Sequence, residues 1–361
     1  MKPIQASRIL VYRIGQLGDT IIALPAMWAV RRHFPRAHLA LLSDRHYENE
    51  YVLAPSVLPK EGLFDEYIAY DASINGANPV KMLKVLPRLR QGRFDKLIYL
   101  APRTRTRWQV WRDIVFFRVA GITQFIGHRG FRPLPRSAPG SPLPYIEHEA
   151  DHLLKRLACS GIFVPSPGQG CMDLQLTKVE VEEARKWIKS HVDSDHNKRL
   201  VAVGPGSKWP SKVWPEERYR ALGRCLIDEF GMFPLVFGGS EDREIGKRLI
   251  AHWGLGANAA GELSVRQAAA TLVHCRLYVG NDTGVMHLAA AVGTPCVAIF
   301  SAQDWPGRWY PYGQGHIVLR SAVLCEGCRL RVCNRDLNCL KKISVDDVAQ
   351  ACRQVLVSTD V

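Results

Sequence analysis

The stretch Leu277-Tyr278-Val279-Gly280-Asn281-Asp282-Thr283-Gly284-Val285-Met286-His287-Leu288-Ala289-Ala290-Ala291 decides the fold. A short apolar run ends in a polar turn, and an alanine-rich helix follows. Asp282 or Thr283 stands where a helix cap belongs. The first turn of that helix would offer free backbone N–H groups to a diphosphate. His287 follows Thr283 by four residues, so both can face one side. Capping plus a core histidine is the competing reading.

The same grammar recurs in both directions. Cys296–Phe300 ends in Ser301, Pro234–Phe237 in Gly238-Gly239, and Leu200–Val203 in Gly204. In the first half, Ile9–Tyr12, His38–Leu42 and Lys96–Leu100 read as strands. Helical stretches run from Ile21 to Phe34, from Lys178 to Ser190, from near Pro215, and from about Val345 to Leu356. Short apolar runs alternating with helices predict βαβ units and parallel sheets. Pro165-Ser166-Pro167-Gly168-Gln169-Gly170 reads as a linker. The expected architecture is α/β: two doubly wound halves joined near 165–175, with ligands at the carboxyl ends of strands.

A chain of 361 residues fits two domains at ~150 residues each. Apolar residues are 47% and charged residues 23%, which excludes wholesale disorder and a fibrous repeat. No uninterrupted apolar stretch reaches the ~18 residues of a membrane span. Lys2, Arg8 and Arg13 stand where a signal peptide would need an apolar block. The expectation is a cytosolic protein with its ten cysteines mostly reduced. Lys and Arg number 48 against 34 acids, a net charge of +14. Lys84 to Arg136 holds 13 basic residues and only Asp95 and Asp113 as acids. Such a block attracts nucleic acid, anionic lipid or a phosphorylated substrate, or is simply a solvated face.

Four further motifs bear on chemistry. Gly15-Gln16-Leu17-Gly18-Asp19-Thr20 follows the first strand. It lacks the Gly-Lys-Ser/Thr of a P-loop and the spacing of the dinucleotide fingerprint. Asp19 there reads as a catalytic carboxylate or as a helix cap. Gly204-Pro205-Gly206-Ser207-Lys208-Trp209-Pro210-Ser211-Lys212 leads toward a helix and suits an anion, with Lys208 and Lys212 as point charges. Cys325-x2-Cys328-x4-Cys333-x5-Cys339 fits zinc or iron ligation, or reduced structural thiols. Arg103, Arg105, Arg107, Arg112 and Arg118, with Trp108 and Trp111, follow a strand end. They suit phosphate or carboxylate groups on an acceptor, with base stacking as the nucleic-acid alternative.

Gly18-Asp19-Thr20…Leu24-Pro25-Ala26, Trp214-Pro215-Glu216-Glu217 and Asn281-Asp282-Thr283-Gly284…His287-Leu288-Ala289-Ala290-Ala291…Gly293-Thr294-Pro295 together resemble the heptosyltransferases of glycosyltransferase family 9. The resemblance implies a GT-B fold, two Rossmann-like domains facing across a cleft: residues 1–170 for the acceptor and 171–361 for the nucleotide sugar. The last helix would pack on either. It implies inverting, metal-independent transfer without a cofactor, typically from ADP-heptose to an anionic lipopolysaccharide-core acceptor. Asp19 would be the general base. Ser207, Lys208 and Lys212 would hold the diphosphate, and Asp282, Thr283, Gly284 and His287 the donor. Asp242 would hold the ribose, with Glu241 as its rival. Gly18, Arg103, Arg105 and Arg107 would meet the acceptor, although the arginine-rich segment departs from the better-known core enzymes. Peripheral contact with the inner membrane's cytoplasmic face fits the basic block. A nucleotide-sugar isomerase or hydrolase of the same fold would leave that block unexplained. A nucleic-acid-binding protein lacks a supporting module, and a non-catalytic binder would not need Asp19.

Overall fold

Ile9, Leu10, Val11 and Tyr12 are wholly buried. A strand covered on both faces must be apolar throughout, and this is the mark of a parallel sheet between helices. The computed structural model describes residues 7–46, 52–72, 82–135, 141–193, 195 and 199–358, and the elements are those of these residues. The chain divides into two compact units, Met1–Arg136 with Glu149–Gln175, and Ser137–His148 with Leu176–Val361.

In the first unit β1 (Arg8–Tyr12), β2 (His38–Arg45), β3 (Glu66–Asp71), β4 (Lys96–Tyr99) and β5 (Gln124–Ile126) form one sheet. Its order is β3-β2-β1-β4-β5, and all pairings are parallel. The chain order reverses direction at β1, which pairs with both β2 and β4. That makes the β1/β4 carboxyl edge a topological switch point, where such sheets bind ligands. The helix expected from Ile21 to Phe34 is instead two, Leu17–Ile22 and Leu24–His33. Pro25 is the cause, since it has no N–H for the preceding turn and its ring crowds the carbonyl four residues back.

In the second unit β6 (Leu200–Gly204), β7 (Phe233–Val236), β8 (Ala257–Asn258), β9 (Leu277–Asn281), β10 (Cys296–Phe300) and β11 (Ile317–Arg320) pair in parallel. The order β11-β10-β9-β6-β7-β8 puts the switch point between β6 and β9. Helix Lys178–His191 starts on a Thr177/Glu180 capping box and helix Val265–Leu272 on a Ser264/Gln267 box. The two are clamped by a buried bidentate pair, Arg266 Nε to Glu180 Oε1 at 2.7 Å and Nη2 to Oε2 at 2.9 Å. The final helix, Val345–Ser358, packs within this unit. Its Val348, Ala351, Cys352, Val355 and Leu356 join a core with Leu222, Leu226, Trp214 and Ile299. Residues 141–148 also belong here, by Ile146 N to Pro306 O and Leu143 N to Glu326 Oε2.

Candidate functional site

At the switch point of the second unit, Gly204 of β6 lies opposite Gly280 of β9. Asn281 comes next, fully buried, and its amide uses all four of its hydrogen-bonding positions. Nδ2 donates to Pro205 O (2.8 Å) and Gly206 O (3.3 Å). Oδ1 accepts from Trp214 N (3.0 Å) and the Tyr219 hydroxyl (2.9 Å). One side chain thus ties both ends of the loop 205–214. Within that loop Ser207 Oγ accepts from Trp209 N, and Ser211 is buried against Gln303 and Leu330.

The loop delivers Lys212 to Asp282, with Nζ to Oδ2 at 2.6 Å. Thr283 occupies the N-cap of helix Gly284–Ala291, but no side chain caps that helix. Asp282, the other candidate cap, is engaged with the lysine. The first-turn amides therefore face the same place as an ammonium group, which is the arrangement an anion requires. His287, nine-tenths and more buried, has Nε2 3.9 Å from Asp282 Oδ1. Its Nδ1 has no hydrogen-bond partner among the described residues. Burial first, then the charges of His148 and Lys212, push its pKa well below the usual imidazole value, so it is neutral at pH 7.

Asp242 ends the short 3-10 turn Ser240–Asp242 that follows the neighbouring strand β7, and its Oδ2 accepts from Gly239 N at 3.0 Å. A Cβ on Gly206 would lie 1.8 Å from Asp242 Oδ1, so the loop passes over the carboxylate only as glycine. Burial raises the Asp242 pKa to about 6, with Glu241 adding to the shift and Gly239 N and Lys208 opposing it. Lys208 itself is exposed. Three segments thus meet here: the loop 205–214 with Ser207 and Lys212, the turn ending at Asp242, and Asp282–His287.

In the first unit Gly15 has φ +127°, a region closed to side chains, and a Cβ there would strike the Asp19 side chain at 2.5 Å. The tight turn starts helix Leu17–Ile22 with Gln16 at its N-cap. Asp19 is thus not the cap itself but the third helical residue, with Oδ2 accepting from Gln16 N at 3.1 Å. Gly18 lies on the same half-exposed turn. Arg13, 1% exposed, donates to Asp19 O (2.6 Å) and Leu100 O (2.8 Å), and sits 3.5 Å from Asp19 Oδ1. It fastens the turn to the end of β4.

The arginine-rich segment divides. Arg105 is buried, paired with Asp113 at 3.2 Å and bonded to the Tyr12 hydroxyl at 2.9 Å. Arg103 is buried as well, its N bonded to Glu149 Oε1 and its Nε to Arg132 O. Arg107 is exposed at the start of helix Arg107–Val119. Among the described residues no three His, Cys, Asp or Glu side chains are grouped to hold a metal. Cys325, Cys328, Cys333 and Cys339 are free thiols. Asn281, Arg13, Tyr219 and His148 were not singled out by sequence. Of these only Asn281 carries a local signal, a polar residue at the last position of an apolar strand. Among the described residues no helix is long and apolar enough to cross a membrane.

Two parallel α/β units, with convergent polar residues at the switch point of the second, define the GT-B class. The comparisons narrow it. Residues 167–337 match the family described as "Glycosyltransferase family 9 (heptosyltransferase)". Lipopolysaccharide heptosyltransferase 2 of Escherichia coli (strain K12) is 33% identical over 130 residues, 34% of this chain and 37% of that protein. The match thus spans about a third of that relative's length. Lipopolysaccharide heptosyltransferase 1 of Pseudomonas aeruginosa is 25% identical over 347 residues, 90% of this chain and 87% of the relative. The solved structure of "E. coli ADP-heptose lps heptosyltransferase II" superposes with a TM-score of 0.69 at 22% identity, covering 98% of this chain and all of that one. The chain is thus similar to the heptosyltransferases of glycosyltransferase family 9, the family that its residues 167–337 match.

Two outcomes follow from the geometry. Asn281→Ala strands two carbonyls and a buried amide and leaves the Tyr219 hydroxyl only its longer bond to Gly204 O, and should cost about 2–4 kcal/mol in denaturant unfolding. For Asp242 the folded chain keeps a proton that the unfolded chain releases near pH 4. Ionisation therefore opposes folding, and its cost grows from about pH 4 to about pH 6. Asp242→Asn should raise Tm at pH 8 and leave it nearly unchanged at pH 4, read by a thermal melt at both.

Proposed function

We propose that the protein is an inverting, metal-independent glycosyltransferase that moves heptose from ADP-heptose to a lipopolysaccharide-core or related anionic acceptor in the cytoplasm. The observation that carries this reading is the Lys212–Asp282 pair at the uncapped N-terminus of helix Gly284–Ala291, inside the segment that matches the family. The acceptor falls to the first unit and the donor to the second, so the bounds 1–170 and 171–361 read from the sequence shift to those of the two units.

The diphosphate of the donor takes Lys212 away from Asp282 and lies against the amides of Thr283 and Gly284. Ser207 and Lys208 add a hydroxyl and a second charge, and Asp242 takes the ribose hydroxyls. Neutral His287 donates or accepts a hydrogen bond without adding charge. Asp19 removes the proton from the acceptor hydroxyl as that oxygen attacks the anomeric carbon. The bond from that carbon to the diphosphate oxygen breaks, and ADP leaves with its new negative charge stabilised by Lys212 and the helix amides. Gly18 keeps the acceptor's path to Asp19 open, and Arg107 offers its guanidinium to acceptor anions. Arg103 and Arg105 act on the acceptor through the shape of the segment that presents Arg107.

Asp19→Asn should keep ADP affinity and abolish transfer, a loss of at least ~10²-fold in kcat. Unchanged turnover would remove Asp19 from the base role. Lys212→Ala leaves Asp282 uncompensated beside the diphosphate and should weaken ADP binding by ~1–3 kcal/mol in calorimetry. Equal dissociation constants for variant and parent would refute the assignment of Lys212 to the phosphates.

A further inference from the structure

The carboxyl edge of the first unit's sheet holds a buried carboxylate that the proposed transfer does not use. β1 and β2 run in register from Arg8 beside His38 to Tyr12 beside Leu42. The ladder goes one rung further, with Arg13 N donating to Leu42 O at 3.1 Å. The chain then turns away from β2 at Gly15, where φ is +127°. Gly15 N there donates to the Asp44 side chain, with Oδ1 at 2.9 Å. A side-chain acceptor can follow an amide that has left the ladder, which a strand carbonyl cannot do. Asp44 is 8% exposed, and its second oxygen is held as well, with His46 Nε2 3.0 Å from Oδ2.

Gly15 in turn bounds Asp19. The place a Gly15 Cβ would take lies 2.5 Å from Asp19 Cβ, 2.6 Å from Cγ and 2.9 Å from Oδ2. The Gly15 backbone is thus the wall on which the Asp19 side chain rests. The next amide, Gln16 N, donates to Asp19 Oδ2 at 3.1 Å. A shift of the peptide between Gly15 and Gln16 therefore carries the Asp19 carboxyl with it. We propose that Asp44 is a positioning residue for the transfer: it anchors this peptide, and through it aims the Asp19 carboxyl at the acceptor hydroxyl, while His46 locks Asp44. The proposal rests on the reading of Asp19 as the base and adds the residues that aim it. A base must come within hydrogen-bond reach of the proton it takes, and a misplacement of ~1 Å can cost about 10²-fold. A helix of six residues does not hold such a position by itself. The role needs the place of the Asp44 oxygen rather than its charge, and an asparagine offers an oxygen at the same place.

Steady-state transfer from ADP-heptose to a heptose-free lipopolysaccharide core tests it. Asp44→Ala should lower kcat at least ~30-fold, with the acceptor KM and the ADP Kd within about twofold of the parent's. Asp44→Asn should restore kcat to within about fivefold of the parent, the difference between a charged and a neutral acceptor. His46→Ala releases only Oδ2 and should lower kcat about fivefold. Unchanged Tm shows that each variant folds; where Asp44→Ala does not, His46→Ala and Asp44→Asn decide. Parental kcat in Asp44→Ala or in His46→Ala overturns the proposal. So does an Asp44→Asn as slow as Asp44→Ala, which would make the charge the active property. A raised acceptor KM at parental kcat overturns it too, by assigning Asp44 to acceptor binding. Asp19→Asn in the same assay separates the two readings. Turnover retained there, or a parent idle with these substrates, counts against the transfer reading. A dead Asp19→Asn beside a fully active Asp44→Ala removes the positioning role alone.

Discussion

The amide of Asn281 is the contact on which the second unit's chemistry depends. A parallel sheet ends its central strands in loops whose carbonyls have no partner in the ladder, and burial makes each unpaired group costly. Asn281 meets that demand at both ends of the loop 205–214 at once. Because the loop's entry and exit are fixed to β9, Lys212 reaches Asp282, the residue next to Asn281 in the chain. The electrostatics of the candidate anion site are thus set by a neutral residue that touches no charge.

The first unit solves the same problem with buried guanidinium groups. Arg13 takes the carbonyls of Leu100 and Asp19, and Arg156 takes those of Tyr99, Ala101 and Gly127. Desolvation pulls the Arg156 pKa down to about 10, yet the group stays charged at pH 7. Removing such a cation from water is costly unless its donors are used. Here they are spent on the strand end that stands beside the Asp19 turn. The position of Asp19 is thereby a property of the sheet edge rather than of its own short helix, which has only six residues.

This contrast explains what could be read from the sequence. The central strands and their glycine or polar endings were legible because period and turn chemistry are local signals. The places of Gly204, Lys212, Asp282 and His287 in the fold were legible for the same reason, since each sits at a strand end, in the loop that leaves it or on the helix that follows. The edge strands β3, β5, β8 and β11 were not named. They are short or partly exposed, and their apolar pattern is weak: β11 has no buried residue at all. The break at Ala23 was missed because Pro25 within an apolar helical pattern is equally compatible with a new helix's first turn. Arg13 and Arg156 were invisible as tethers, because the carbonyls they hold are distant in sequence and every residue has one.

The basic segment shows the same limit from the other side. Counting charges treats Arg103, Arg105, Arg107, Arg112 and Arg118 as one population, but burial separates them. Asp113 lies midway along helix Arg107–Val119 on its buried face, accepting from the Tyr99 hydroxyl at 2.8 Å, where an uncompensated carboxylate would be intolerable. Arg105 and Arg112 are drawn to it. Arg105 is therefore bound to the interior as a counter-ion, and the field it adds outside is largely cancelled by its partner. Arg107 and Arg118 have no buried acid to answer, so they keep their charge at the surface. The positive potential of this region consequently comes from fewer arginines than composition suggests, and it is concentrated on the face that also exposes Trp108 and Trp111.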